Sequence, residues 1–178
     1  MDYRIISQKT LYKGRSFSFC SDKIEYNGKE MVKDYVDYPH AVAILPYFGQ
    51  DKFVLIKQFR YPVRDYIYEV PAGKLERGED ILEGAIRELR EETGYNARYA
   101  KKIFEYYPAV GYSSEVIHIV FAKDLEETAK ELDEDEFTDV EIIDYNRIID
   151  MIKGNKIKDA KTIISFLLID KFGGMYEI

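Results

Sequence analysis

The segment GKLERGEDILEGAIRELREETGY, residues 73–95, constrains the fold of this chain more than any other. Asp80 can cap the N-terminus of a helix, and Gly94 can supply the left-handed residue that ends one. We therefore predict a helix from about residue 81 to residue 93. At about 100° per residue, one sector of this helix is apolar: Ile81, Leu82, Ala85, Ile86 and Leu89. One face of the helix should pack on a core.

Three glutamates lie at the edge of that apolar sector or next to it, namely Glu88, Glu91 and Glu92. Like charges one turn apart on a helix cost roughly 0.2–0.5 kcal/mol, and the negative end of the helix dipole adds to this cost. A Mg²⁺-like ion would compensate, because hard divalent cations bind carboxylate oxygens and bridge to substrate phosphates. Taken alone, the cluster is more typical of a solvated helix end that pairs with Arg87 and Arg90.

The wider spacing favours the metal interpretation. The pattern G-x5-E-x7-R-E-x2-E-E-x-G, followed by a bulky residue, is met in full by these residues: Gly73, Glu79, Arg87, Glu88, Glu91, Glu92, Gly94 and Tyr95. This segment resembles the Nudix box, the signature of hydrolases that cleave nucleoside diphosphates linked to another moiety. The resemblance implies that Glu88 and Glu92 are the main metal ligands. It also implies that Glu91 is an auxiliary ligand or a base, and that Arg87 supports catalysis by bracing the loop against the helix with Glu79.

The resemblance covers nearly the whole chain. Seven segments are similar to the ADP-ribose pyrophosphatase branch of the family: TLYKGRSF, PHAVAILPY, VLIKQFRYPV, YEVPAGKLE, SSEVIHIVFA, LDEDEF and KIKDAKTII. This similarity implies that the main-chain carbonyl of Ala72 joins the metal ligands. It also implies that Arg60 contacts the substrate diphosphate or ribose, a task that suits a bidentate guanidinium.

The acidic segment LDEDEF precedes a predicted strand, VEIID. A long polar loop is usually solvated and without a catalytic role. In the resembling enzymes, however, an acidic loop at this place closes over the substrate. By position, Glu134 would be the general base and Glu136 a further metal ligand, with Glu91 or Glu136 as the alternative base. A mobile base is physically reasonable, because the catalytic geometry then forms only when substrate is bound.

Three further residues have competing interpretations. Lys33 matches a position where the branch often has an arginine that contacts phosphate, but it could equally be a surface lysine. Phe17 is the candidate for stacking on adenine, with a core phenylalanine as the alternative. His118, in an apolar strand, is interpreted as a hydrogen-bonded core residue.

One departure from the branch concerns the substrate. Where the branch usually carries Ser-Pro-Gly or a similar proline, this chain has Ala109-Val110-Gly111, with Pro108 displaced. That proline marks the substrate class. Its absence leaves GDP-mannose, a UDP-sugar or another nucleoside diphosphate sugar open as the substrate.

Outside the box, β-rich and helical runs alternate. Asn27-Gly28, between two β-rich runs from residue 17 to residue 38, predicts an antiparallel hairpin. Further strands are predicted at residues 41–48, 53–60, 66–70, 97–107 and 116–123. Helices are predicted near residues 145–153 and 158–172, the second with an apolar stripe at residues 160, 163, 164, 167 and 168.

Length and charge limit the classes of function. At 178 residues the chain is long enough for one well-packed domain and too short for two ordinary ones. A net charge of −7 argues against a nucleic-acid or anionic-membrane surface, which needs clustered Lys and Arg. No apolar run reaches the roughly 18 residues of a spanning helix, and the first residues do not resemble a signal peptide. We expect a cytoplasmic protein without nucleic-acid or membrane partners, in which the lone Cys20 serves packing.

The resemblance then implies an α/β fold, the Nudix α/β/α sandwich with a mixed β-sheet. We assign residues 1–40 to an N-terminal antiparallel β-ribbon and residues 41–178 to the hydrolase domain. The resembling branch also implies a homodimer whose ribbons complete the neighbour's site. The predicted activity is hydrolysis of ADP-ribose to AMP and ribose 5-phosphate with Mg²⁺, or with Mn²⁺ as the alternative metal. A non-catalytic ADP-ribose sensor is disfavoured, because the box glutamates are all present and there is no basic patch.

Overall fold

A computed structural model describes residues 3–128 and 138–176, and within these it describes side chains as far as residue 172. The chain divides into two compact units. The first comprises Met1–His40 with Tyr106–Val116, and the second comprises Ala41–Glu105 with Ile117–Ile178.

The described part of the first unit contains an antiparallel sheet of three strands in the order β1-β2-β3. These are β1 (Tyr3–Lys13), β2 (Ser18–Tyr26) and β3 (Lys29–Asp37). Asn27 and Gly28 join β2 to β3 with φ values of 51° and 73°, the positive values that a two-residue hairpin turn needs. The predicted hairpin is confirmed. Strand β1 was not predicted: all of its residues are exposed, so the sequence shows no alternation of buried and exposed positions.

The second segment of the first unit, residues 106–116, bonds to β3. Val36 donates its backbone N–H to the carbonyl of Tyr112 at 2.7 Å, and Ser114 donates its own to the carbonyl of Val36 at 3.0 Å. The first unit therefore contains residues from both sides of the predicted boundary at residue 40.

The described part of the second unit is built on a seven-stranded mixed sheet. Its strands are β4 (Ala41–Gly49), β5 (Lys52–Arg60), β6 (Asp65–Glu69), β7 (Ala72–Lys74), β8 (Tyr95–Tyr106), β9 (Ile117–Glu127) and β10 (Thr138–Asp144). Their order is β10-β5-β4-β9-β8, with β6 paired to β5 and β7 paired to β4. The pair β4–β9 is parallel, whereas β5 pairs antiparallel with β4, β6 and β10. The predicted mixed sheet is confirmed.

Helices pack on this sheet: α1 (Ile81–Thr93), α2 (Tyr145–Lys153) and α3 (Ala160–Tyr176). Helix α1 buries Ala85 and Leu89 against Val42 of β4 and Val120 of β9. Helix α3 packs Phe166 edge-on against Phe53 of β5, with ring centroids 5.1 Å apart. None of the helices in the described residues is both long enough and apolar enough to cross a bilayer.

Helix α1 begins and ends where its caps predict. The Asp80 side chain accepts hydrogen bonds from the backbone N–H of Leu82 at 2.8 Å and of Glu83 at 3.3 Å. Gly94 ends the helix in the left-handed conformation, with a φ of 75°, and donates its N–H to the carbonyl of Arg90. The helix is therefore fixed at both ends, and the three glutamates occupy its last two turns.

The predicted apolar stripe of α3 is wrong in part. Leu167 is 47% exposed, whereas Thr162, Ser165 and Phe166 are fully buried. The small polar residues can be buried because their hydroxyls find partners: Ser165 donates to the carbonyl of Lys161 at 2.7 Å, and Thr162 donates to Asp159 at 2.6 Å. A pattern of apolar residues alone cannot reveal a helix face that contains satisfied hydroxyls.

Candidate active site

Arg87 connects α1 to the loop that precedes it. Its Nε and Nη2 donate to the two carboxylate oxygens of Glu79 at 2.8 and 3.0 Å. Nη2 also donates to the carbonyl of Lys74 at 3.0 Å, and Glu79 accepts from the backbone N–H of Glu76 at 2.8 Å. The hydrogen bond from Arg87 holds the pKa of Glu79 below its ordinary value, and the same bond raises the pKa of Arg87. The loop is thereby tied to the helix by charged hydrogen bonds.

The same arginine holds two of the box glutamates. Nη1 of Arg87 donates to Oε1 of Glu88 at 2.8 Å and to Oε2 of Glu91 at 2.9 Å. One cation therefore offsets part of the repulsion between these carboxylates. Pairing of the acidic helix end with Arg87 was the alternative interpretation of this cluster in the sequence.

Glu88 and Glu92 both lie against the backbone of β7. A Cβ built on Gly73 would lie 2.0 Å from the carboxyl carbon of Glu88, so only glycine leaves room for this carboxylate. Glu92 is 3% exposed and accepts the backbone N–H of Ala72 at 2.9 Å. Two carboxylates from successive turns of α1 thus converge on Ala72–Gly73.

The residues at this point fit a divalent cation by the chemistry of their oxygen donors. Carboxylates and a main-chain carbonyl are the ligands that hard cations such as Mg²⁺ take. Within residues 3–128 and 138–176, no three His, Cys, Asp or Glu side chains stand close enough together to form a complete metal cage. Two of the carboxylates are instead held by Arg87. An incomplete set of protein ligands is usual for Mg²⁺, which keeps several waters.

Arg60, at the end of β5, is bound to a buried carboxylate of β6. Its Nε donates to Oε1 of Glu69 at 2.6 Å and its Nη2 to Oε2 at 2.8 Å. Glu69 is 1% exposed, whereas the Arg60 side chain is 38% exposed. The bond to Glu69 raises the pKa of Arg60, and the negative charge of Glu92 acts in the same direction. The sequence interpretation missed Glu69, although a glutamate among the apolar and aromatic residues of the predicted strand 66–70 was a signal of a buried charge.

The other predicted site residues are placed as follows. Phe17 is 42% exposed and stacks on Tyr38, with ring centroids 6.4 Å apart, so it is not a core phenylalanine. Lys33 is exposed on β3. Both belong to the first unit, whereas Arg60, Ala72 and the box glutamates belong to the second. The acidic-loop predictions, Glu134 and Glu136, lie outside the described residues.

His118 is 5% exposed on β9, and its Nδ1 lies 3.2 Å from a carboxylate oxygen of Glu105. This surrounding agrees with its interpretation as a core residue.

Comparison with known proteins decides the family. Residues 37–166 match the family model of the NUDIX domain. The chain belongs to the Nudix family. Members of this family use divalent metal ions, which agrees with the carboxylates gathered at the end of α1.

Curated relatives match this chain over most of its length. A Bacillus subtilis protein named ADP-ribose pyrophosphatase is 36% identical over 165 residues, which cover 91% of this chain and 89% of that protein. A Bacillus methanolicus protein named methanol dehydrogenase activator has the same identity and coverage. A Yersinia enterocolitica protein named GDP-mannose pyrophosphatase is 34% identical over 170 residues, which cover 88% and 86%.

A solved Nudix-like structure supports the fold. The crystal structure of an ADP compounds hydrolase superposes with a TM-score of 0.86 at 25% sequence identity, and it covers 100% of this chain and 98% of the other. The predicted Nudix family, with its resemblance to the ADP-ribose pyrophosphatase branch, and the predicted α/β fold are confirmed.

Proposed function

We propose that this Nudix protein hydrolyses the diphosphate of ADP-ribose, which yields AMP and ribose 5-phosphate, in a reaction that depends on a divalent metal ion. The observation that carries the proposal is the 36% identity, over 91% of the chain, to a protein named ADP-ribose pyrophosphatase. The convergence of Glu88 and Glu92 on Ala72–Gly73 supports it, because a negatively charged diphosphate needs compensating positive charge at an acidic site.

The proposed metal is Mg²⁺, with Mn²⁺ as the alternative. Its ligands would be Glu88, Glu92 and the carbonyl of Ala72, together with two further carboxylates, Glu91 and Glu136. When bound, a divalent cation neutralises charge on the diphosphate. Arg87 keeps the carboxylates in place from the side of the loop through its bonds to Glu79, Glu88 and Glu91.

The other proposed residues bind the substrate or activate the attacking water. Arg60 is proposed to bind the diphosphate or ribose through the N–H groups that its bond to Glu69 leaves over. Lys33 and Phe17 are proposed to bind phosphate and adenine. Glu134 is proposed as the general base that takes a proton from the attacking water, with Glu91 or Glu136 as the alternative base.

A second candidate is a pyrophosphatase of another nucleoside diphosphate sugar. The relative named GDP-mannose pyrophosphatase, at 34% identity, favours it. So does the sequence Ala109-Val110-Gly111 in place of the proline-containing segment. The metal ligands would be the same for both substrates, so only the pockets for the base and the sugar would differ.

Product analysis tests the proposal. The purified protein is incubated with ADP-ribose and Mg²⁺, and the products are separated by ion-exchange chromatography. We expect AMP and ribose 5-phosphate in equal amounts, and no product after addition of EDTA. Release of adenosine or ADP, or product formation that EDTA does not affect, would contradict the proposed reaction.

We further propose a homodimer in the cytoplasm, formed through the N-terminal sheet. All eleven residues of β1 are exposed, and Ile5, Ile6 and Leu11 among them are 40–49% exposed apolar side chains. Exposed apolar side chains on an edge strand commonly mark an interface. Sedimentation should give about twice the chain mass of 20.9 kDa, and Leu11→Glu should shift it toward the mass of one chain.

A further inference from the structure

The arginine assigned to the substrate is bound to an ion network that reaches the C-terminal helix. Glu69, on β6, receives Nε and Nη2 of Arg60 on its two oxygens. Lys161 of α3 forms an ion pair with the same carboxylate, at Oε2. Glu69 and Lys161 are 92 positions apart in the chain, and the buried carboxylate of Glu69 joins Arg60 of β5 to Lys161 of α3.

Lys161 is itself held in place at the start of α3. Its Nζ lies 2.9 Å from Oδ1 of Asp159, whose Oδ2 accepts the backbone N–H of Thr162 at 2.9 Å and its hydroxyl at 2.6 Å. The Thr162 oxygen in turn accepts the backbone N–H of Val70, next to Glu69, at 2.8 Å. The end of β6 is therefore bound to α3 in two ways: by the ion pair of Glu69 with Lys161, and by the hydrogen bond from the backbone of Val70 to Thr162.

The charges in this network alternate. Asp159 and Glu69 are acidic, and Lys161 and Arg60 are basic, so each carboxylate has a cation beside it. Burial alone would raise the pKa of Glu69, but the bond from Arg60 and the charge of Lys161 lower it below its ordinary value. The two cations together outweigh the effect of burial and favour the ionised form of Glu69.

The bonds to Glu69 also determine which part of Arg60 is available. They use Nε and Nη2, one edge of the planar guanidinium, which has five N–H groups in fixed directions. The other edge points away from Glu69. The negative charge of Glu92 on α1 also raises the pKa of Arg60, after the larger effect of the bond to Glu69.

We infer that Glu69 is a positioning residue that sets the orientation of Arg60 toward the substrate, and that Lys161 of α3 holds Glu69 for this task. The inference rests on the proposed function, because it takes Arg60 as the residue that contacts the substrate diphosphate or ribose. Helix α3 then contributes to substrate binding without touching the substrate.

The test combines kinetics with a direct observation of Arg60. The variants are Glu69→Gln, Lys161→Met, Arg60→Ala and the double variant Arg60→Ala/Glu69→Gln. The control is Lys158→Met, which removes an exposed lysine three positions before Lys161. Steady-state rates are measured with ADP-ribose and Mg²⁺, thermal unfolding reports stability, and NMR of the arginine Nε–H signals reports on the Arg60 bond.

We expect Glu69→Gln to lower kcat/KM by about ten- to a hundredfold, mainly through KM, as for other residues that orient a functional side chain. Lys161→Met should have a smaller effect of the same kind, and Lys158→Met none. In the Arg60→Ala background, Glu69→Gln should cause no further loss. The Nε–H of Arg60 should exchange slowly with solvent in the wild type and faster in Glu69→Gln and Lys161→Met.

Two results would overturn the inference. One is a lower melting temperature in Glu69→Gln with unchanged KM and kcat, which would make Glu69 structural only. The other is independent, additive losses in the double variant. If the wild type does not cleave ADP-ribose, the proposed function fails, and only the exchange measurement tests the role of Glu69. In that case, equal exchange rates of the Arg60 Nε–H in the wild type, Glu69→Gln and Lys161→Met would contradict the inference.

Discussion

At the scale of single residues, Glu92 combines burial with the proposed role of a metal ligand. It is 3% exposed and accepts the backbone N–H of Ala72. In Glu92→Gln the amide oxygen can keep this hydrogen bond, while a carboxylate ligand and its repulsion with Glu88 are lost. We expect metal-dependent hydrolysis to be abolished and the free energy of unfolding to change by less than about 1 kcal/mol.

The matched control for this prediction is Glu83→Gln, because Glu83 lies on the same helix and is exposed. Both variants are assayed for ADP-ribose hydrolysis and for denaturant unfolding. Wild-type activity in Glu92→Gln would refute the assignment of Glu92 as a metal ligand.

Gly73 provides a second residue-scale prediction. The methyl group of Gly73→Ala would overlap the Glu88 carboxylate, which then has to move away from residue 73. A shift of about 1 Å in a group of the active site can lower the rate by on the order of a hundredfold, so we expect Gly73→Ala to lower the rate of ADP-ribose hydrolysis by about that factor. The displaced group is the end of a flexible side chain, so the loss of stability should be about 1–2 kcal/mol.

Gly154→Ala is the control for Gly73→Ala, because Gly154 ends α2 with a φ of −81° and is assigned to no site, and a Cβ there meets only the carbonyl oxygen of Asp150, at 3.1 Å. Rates with ADP-ribose and melting temperatures are compared for the two variants. If Gly73→Ala retained the full rate, the position of Glu88 in this structure would not be the one used in catalysis.

How far the site could be predicted depended on the distance between its residues in the sequence. Glu88, Glu91, Glu92 and Arg87 lie within six positions, so their spacing on a helix was enough to group them. Glu69 and Lys161 were missed because only the folded sheet and α3 bring them together. Pairing between distant charges leaves no periodic signal in a single sequence.

At the scale of elements, α1 was predicted with its boundaries because its caps are local. Asp80 accepts two backbone N–H groups, at Leu82 and Glu83, through side-chain bonds that depend only on neighbouring residues. We expect Asp80→Ala to lower the free energy of unfolding by about 1 kcal/mol, measured by denaturant titration. The rate per folded molecule should not change, and a large loss of rate would mean that Asp80 has a further role.

Helix α3 provides the opposite case, because its face was predicted from apolar residues alone. Phe166 is fully buried, whereas Leu167 beside it is 47% exposed. We expect Phe166→Ala to lower the free energy of unfolding by about 3–5 kcal/mol, and Leu167→Ala to change it by no more than about 0.5 kcal/mol. If a urea titration gave equal losses of unfolding free energy for the two variants, Leu167 would be as buried as the predicted stripe requires, against the observed face.

At the scale of the whole molecule, buried and bridged carboxylates predict how stability depends on pH. The pKa values of Glu69 and Glu79 lie below the ordinary 4.5, in Glu69 despite the opposing effect of burial. A carboxylate whose pKa is lower in the folded than in the unfolded protein stabilises the fold at pH values above its unfolded pKa. This stabilisation is lost as the pH falls through the folded-state pKa. Stability should therefore fall below about pH 4.5, and the fall should be shallower in Glu69→Gln. Identical acid titrations of the two proteins, followed by circular dichroism, would contradict this.

Taken as a whole, the molecule is a Nudix protein for which we propose hydrolysis of ADP-ribose. The most direct measurement compares kcat/KM for ADP-ribose, GDP-mannose and UDP-glucose under one set of conditions with Mg²⁺. We expect a clear preference for ADP-ribose, in agreement with the relative named ADP-ribose pyrophosphatase. A preference for GDP-mannose or UDP-glucose would contradict it, and would make the segment Ala109-Val110-Gly111 the better guide to the substrate.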